Sequence, residues 1–220
     1  MPLPIIITAV IAAVAVIIYL IWRYEKQRTA ALTALAESLK LTFGHKADER
    51  LYSLTNHFHL FTQGHSRKIA NVLQGSIQGV DLYLMDYRYT IGGGKESHTF
   101  RQTVLLFRTS RLDLPEFALR PENLIHRIVG AFGYQDIDFD SHPEFSRQYL
   151  LRGVDEEAIR ELFGTDKLDY FEKHPKLCTE GKADTLLFYR LSKRVTPDEM
   201  PNFLKEGLTI LGLFKSPGTD

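Results

Sequence analysis

Residues 3–22, LPIIITAVIAAVAVIIYLIW, run for twenty positions without a charge. At ~1.5 Å per residue a helix of that length measures about 30 Å, the thickness of a bilayer's hydrocarbon core. Such a run must cross a membrane, be removed as a leader, or be enclosed by protein. Pro4 falls in the first turn, where its missing N–H matters least. Thr8 can bond back to a carbonyl one turn earlier, so its hydroxyl need not stay unsatisfied in lipid. Tyr19, Trp22 and Tyr24 supply an aromatic belt at one end.

A cleaved leader wants a basic start, a shorter apolar core and a small-residue site beyond it. Here no Lys or Arg precedes the run, and Ala13-Val14-Ala15 lies inside it. A buried core helix is rarely this long without a charge. The expectation is a single span, with the lipid bilayer met through Leu3–Trp22. Arg23, Lys26 and Arg28 against Glu25 follow the run, so the positive-inside rule places residues 23–220 in the cytoplasm and the N-terminus outside. Ala9-x-x-x-Ala13 permits close helix approach, which leaves a homodimer open.

Residues 23–220 suit one domain. Lys plus Arg and Asp plus Glu balance at 27 each, which argues against nucleic acid as a partner, because that needs a basic footprint. The single cysteine, Cys178, excludes an internal disulfide and fits a reducing compartment.

After the span, residues 23–40 keep helical spacing, with Ala31, Leu32, Leu35, Ala36 and Leu39 on one stripe. No Pro or Gly interrupts them, so one helix from about residue 4 to about residue 40 is expected. The stripe either packs on the domain or serves self-association or the membrane surface. A straight helix would hold the domain on a stalk about 27 Å long. Strands are read at 67–74, 80–90 and 98–109, the last two joined as a hairpin through Gly92-Gly93-Gly94-Lys95. These glycines lack P-loop spacing and open no helix, so they are read as a turn. In 80–89, Tyr83, Tyr87 and Tyr89 form an aromatic outer face. A helix is expected at 121–133, a strand at 134–141, a short helix from Ser141 and a strand at 149–153. Helices capped by Asp155 and Thr165 follow, then strands at 176–179 and 185–191 turning around Gly181. Thr196-Pro197-Asp198-Glu199 opens a final amphipathic helix with Met200, Phe203, Leu204, Leu208, Leu211 and Phe214 on its stripe. The fold class is α+β. A mainly antiparallel sheet, curved or forming a half-barrel, carries packed helices including this C-terminal one. Domain boundaries are 1–40 for the membrane and juxtamembrane helix and 41–220 for the domain.

Two groups could bind metal. His57-x-His59 would share one face of a strand. Asp136, Asp138 and Asp140 alternate with Ile137 and Phe139, and could hold Mg²⁺ or Ca²⁺ with His142 nearby. Neither matches a full ligand pattern, and solvated side chains are the simpler reading of both. Cys178 and His174 are split by Pro175, so a thiol–imidazole pair is not expected. No nucleophile-elbow or cofactor-binding motif occurs.

The strings DYRYTIGGGK (86–95), FRQTVLLF (100–107), FALRPE (117–122), DIDFD (136–140) and FSRQYLLRG (145–153), with the N-terminal membrane helix, resemble a family of uncharacterised bacterial membrane-anchored proteins. The resemblance covers most of residues 70–215 and implies a bacterial inner-membrane setting. It implies no activity and no site residues. The leading functional expectation is therefore a membrane-held binding or scaffold module with a protein partner. A metal-dependent hydrolase and a lipid-headgroup-sensing domain are the alternatives.

Overall fold

The computed structural model describes residues 3–122 and 136–216. Its first element, α1 (Leu3–Ser38), is a single uninterrupted helix. The described side chains from Ile6 to Tyr24 are all exposed. They present a continuous apolar surface of Ile, Val and Leu ending in Tyr19, Trp22 and Tyr24. Soluble monomers rarely expose so much contiguous apolar area. By length and composition this is the one helix among the described residues able to cross a membrane. Thr8 Oγ1 donates to the Pro4 carbonyl at 2.8 Å, as a hydroxyl in lipid requires.

Beyond Lys40 (φ 57°) the chain turns into β1 (Thr42–Lys46), two short helices α2 (Glu49–Thr55) and α3 (His59–Thr62), and three long strands. These are β2 (His65–Ile77), β3 (Val80–Ile91) and β4 (His98–Arg108). There follow β5 (Leu114–Pro121), α4 (Pro143–Gln148), β6 (Tyr149–Gly153), α5 (Glu156–Leu162) and α6 (Thr165–Lys173). The chain ends with β7 (Cys178–Ala183), β8 (Thr185–Tyr189) and α7 (Met200–Phe214). Eight antiparallel strands form one open sheet in the order β1-β2-β3-β4-β8-β7-β5-β6. The α+β architecture expected from the sequence is what the chain adopts. The β3–β4 hairpin is in register from Asp81↔Arg108 to Ile91↔His98. Its turn needs Gly92, whose φ is 78° and whose added Cβ would lie 2.7 Å from the Glu96 carbonyl oxygen.

The sheet is buried on both faces. On one, Leu82, Leu84, Leu105, Phe107, Leu186 and Phe188 pack under α7 and the second half of α1. On the other, Tyr83, Met85, Tyr87, Tyr89, Val104 and Leu106 pack under Leu51, Phe58, Leu60 and Phe61 of the α2–α3 segment. The tyrosines of β3 are therefore a second core rather than an outer face. Residues 45–66 look polar on average, but their few apolar side chains are spaced to cover it. Each fully buried side chain of this kind contributes roughly 1.5–3 kcal/mol.

Other boundaries shift for local reasons. Pro121 closes β5 instead of opening a helix, and the helix expected over 121–133 otherwise lies outside the described residues. Residues 136–139 join no strand ladder, although Ile137 and Phe139 are buried as their alternation implied. The helix read from Ser141 begins after His142. Gly164 is the N-cap of α6, a place expected for Thr165. The β7–β8 turn is at Ala183 (φ 49°) and Asp184. Gly181 lies inside β7 because the Phe117 ring occupies the space of its missing side chain. In α7 Leu208 is exposed and Ile210 is buried. The helix begins at Met200, yet Glu199 Oε2 still accepts from the Thr196 N–H at 3.3 Å, the contact that the capping spacing implied.

Candidate functional site

Leu32 and Ala36 of α1 are buried in the main core, and Arg28, one turn earlier on the same stripe, is 2% exposed. Its guanidinium donates to both Asp86 oxygens, from Nε at 2.9 Å and Nη2 at 2.7 Å, and from Nη1 to the Val195 carbonyl at 2.6 Å. Asp86 follows Val80, Leu82 and Leu84 on the same face of β3, so its carboxylate is delivered to the helix by strand alternation. Asn71 Nδ2 (3.0 Å) and Thr103 Oγ1 (3.2 Å), from the flanking strands, also donate to it. Arg194 donates to Asp86 Oδ2 at 2.9 Å and grips Glu25 of α1 through both terminal nitrogens, at 2.5 and 2.7 Å.

Burial opposes ionisation of Asp86, but Arg28 and Arg194 outweigh it and hold the carboxyl below its ordinary value. The Arg194 hydrogen bond does the same for Glu25. Two carboxylates and two guanidiniums cancel in charge, and their directional contacts fix the angle of α1 on the sheet. The junction is close to the apolar run. Arg28 lies six positions beyond Trp22 on the helix, about 9 Å. The stalk expected from the sequence is thus absent, because the juxtamembrane helix is packed into the domain from Arg28 onward.

An open cleft of ≈ 330 Å³ lies at this junction, lined by Ile21 and Glu25 of α1 and by Lys68, Arg88, Arg101 and Arg194 among others. Lys68, Arg88 and Arg101 face one another in register across β2, β3 and β4. All three are exposed, and none forms an ion pair with a described residue.

The histidines singled out by spacing are not on a strand. His57 sits in a turn with its ring 4.5 Å from that of Phe58, and His59 opens α3 with Nδ1 2.6 Å from Gln63 Nε2. Partial burial, then Lys182, lowers the His57 pKa. Both histidines line a small cleft with Glu116, Glu180 and Lys182. Glu180, however, is held by Arg120 Nη2 (2.6 Å), the Tyr189 hydroxyl (2.9 Å) and the Leu60 N–H (3.2 Å). Of the aspartates, Asp136 accepts from the Leu151 N–H at 3.0 Å and burial raises its pKa to about 6. Asp138 and Asp140 are exposed, and His142 lies 3.3 Å from Asp169 instead. Among the described residues no group of three or more His, Cys, Asp or Glu is placed to hold a metal. Burial pushes the Cys178 thiol up to about 12.

The residues that join membrane helix to sheet were not singled out by motif. Their signal was a charge where the pattern called for an apolar group: Arg28 on the buried stripe of α1, and Asp86 in the apolar phase of β3.

No family model matches the chain, and no curated protein matches it. A solved structure with this fold is that of the mycobacterial trehalose monomycolate transport factor A, TtfA. It is 12% identical, with a TM-score of 0.55 over 87% of this chain and 98% of that one.

Proposed function

We propose that this chain is a single-pass membrane protein whose cytoplasmic domain is a binding or scaffold module held close to the bilayer. The observation that carries the reading is the Arg28–Asp86–Arg194–Glu25 junction, which joins an exposed apolar helix to a folded sheet. A module tethered for reach needs a loose linker, whereas this one is fixed in height and orientation. Anchorage at Leu3–Trp22 with residues 23–220 inside is supported by the apolar surface and by Arg23, Lys26 and Arg28 after it. The fold is shared with a protein named as a transport factor, and a membrane-associated role with a protein partner is in keeping with that likeness.

The test is a pair of C-terminal reporters in native membranes, one active only inside the cell and one only outside, combined with crosslinking and pull-down. The reading expects activity from the inside reporter and a reproducible protein partner that is lost when Asp86 is replaced. Activity from the outside reporter, or release of the chain by alkaline carbonate, would overturn it.

A further inference from the structure

We propose that the cleft under the exit of α1 binds the phosphate headgroup of an anionic phospholipid, drawn from the leaflet at which α1 leaves the bilayer. The proposal rests on the anchorage read above and adds a ligand to it. Ile21 belongs to the apolar run and lines the same cleft as Arg88 and Arg101. Those two cations therefore share a cleft with the end of the apolar run, which sets them at headgroup level.

The ion pairs of Arg28 and Arg194 with Asp86 and Glu25 neutralise each other, which leaves Lys68, Arg88 and Arg101 as a net excess of cations. Like charges directly opposite on neighbouring strands are unfavourable. Three in one row, exposed and without a carboxylate, call for an anion from outside the chain. Arginine suits phosphate, since its planar fork can give two parallel hydrogen bonds to one phosphate group.

The network that holds α1 also holds the cleft at a fixed height, so a headgroup meets a formed site. Cations beside an anionic bilayer surface attract its headgroups, so the row favours a charged headgroup over a zwitterionic one.

The experiment uses the full chain in dodecyl maltoside. Its only tryptophan, Trp22, follows the cleft residue Ile21 in sequence and serves as the fluorescence probe of binding. Titrants are dihexanoyl-phosphatidylglycerol, dihexanoyl-phosphatidylcholine and inorganic phosphate. The expected result is saturable binding of phosphatidylglycerol at least about tenfold tighter than of either other titrant. Arg88→Gln/Arg101→Gln should weaken it about 30-fold, with the lipid-free melting temperature unchanged or raised because like-charge neighbours are removed. If that variant melts lower, Arg88→Gln alone supplies the comparison. Equal affinity for the two lipids, phosphatidylglycerol affinity untouched by the substitutions, or inorganic phosphate bound as tightly as the lipid would each overturn the proposal. Carbonate extraction reads anchorage separately, so failure here is distinguishable from failure of the anchor.

Discussion

Arg28 on α1 and Asp86 on β3 are 58 residues apart in sequence and meet in a two-point ion pair closed to solvent. The contact joins the element that carries the membrane anchor to the centre of the sheet. Buried pairs often add little net stability compared with apolar packing, because both charges lose water. What this pair adds is direction, since a guanidinium fork fits a carboxylate in few orientations.

Asp86→Leu leaves Arg28 buried without a counter-charge and should cost about 3–5 kcal/mol. For a domain of this size that corresponds to a fall in melting temperature of roughly 10 °C. Arg28→Met/Asp86→Leu removes both charges and should melt above the single variant despite carrying one more change. Thermal unfolding of the set, read as a double-mutant cycle, checks this.

The pH dependence has two components of opposite sign. Asp86 and Glu25 have depressed pKa values, so their contribution is complete above the ordinary carboxylate pKa of about 4. It is lost as pH falls through their lower folded values. Asp136 is raised to about 6, so it holds its proton more tightly when folded. Stability therefore declines as pH rises from about 4 to about 6 and stays lower above that. Asp136→Asn keeps an oxygen for the Leu151 N–H and should be more stable than the parent above pH 6, with the difference closing by pH 4. Urea denaturation at a series of pH values measures it.

Two glycines of α7 should respond in opposite ways to alanine. A Cβ at Gly207 would meet Leu105 Cδ1 at 2.6 Å and Phe107 and Phe188 at 3.2 Å, so Gly207→Ala should destabilise by about 1–3 kcal/mol. At Gly212 nothing lies within 4 Å, and Gly212→Ala should stabilise by about 0.4–1 kcal/mol. The two denaturation midpoints should move to opposite sides of the parent.

How much of this was legible in the sequence follows from the range of the interactions involved. Alternation and helical spacing are local, and they located β3, β4, β6 and α7 within a few residues. The double-sided burial of β3 was not local. It depends on Leu51, Phe58 and Phe61 folding back over Tyr83 and Tyr87, and average polarity concealed them. The turn placed at Gly181 moved to Ala183 because that glycine answers to the Phe117 ring of another strand. The junction was written as two misplaced charges, Arg28 and Asp86. Only their meeting in space shows that they compensate each other.

Cys178 is 1% exposed and its thiol is pushed up to about 12, so it should resist thiol reagents in the folded chain and react fully on unfolding. A colorimetric thiol assay with and without denaturant gives the comparison. Rapid labelling of the native chain would mean that β7 is not packed as described.

The central claim is that α1 from Arg28 onward is part of the domain core and carries its anchor rigidly. Hydrogen exchange of the full chain in lipid nanodiscs tests it most directly. Amides of residues 28–38 should be protected as strongly as those of β3 and β4, and they should lose protection together with the sheet in Asp86→Leu. Exchange at 28–38 that is orders of magnitude faster than in the central strands, as in a free helical linker, would contradict it.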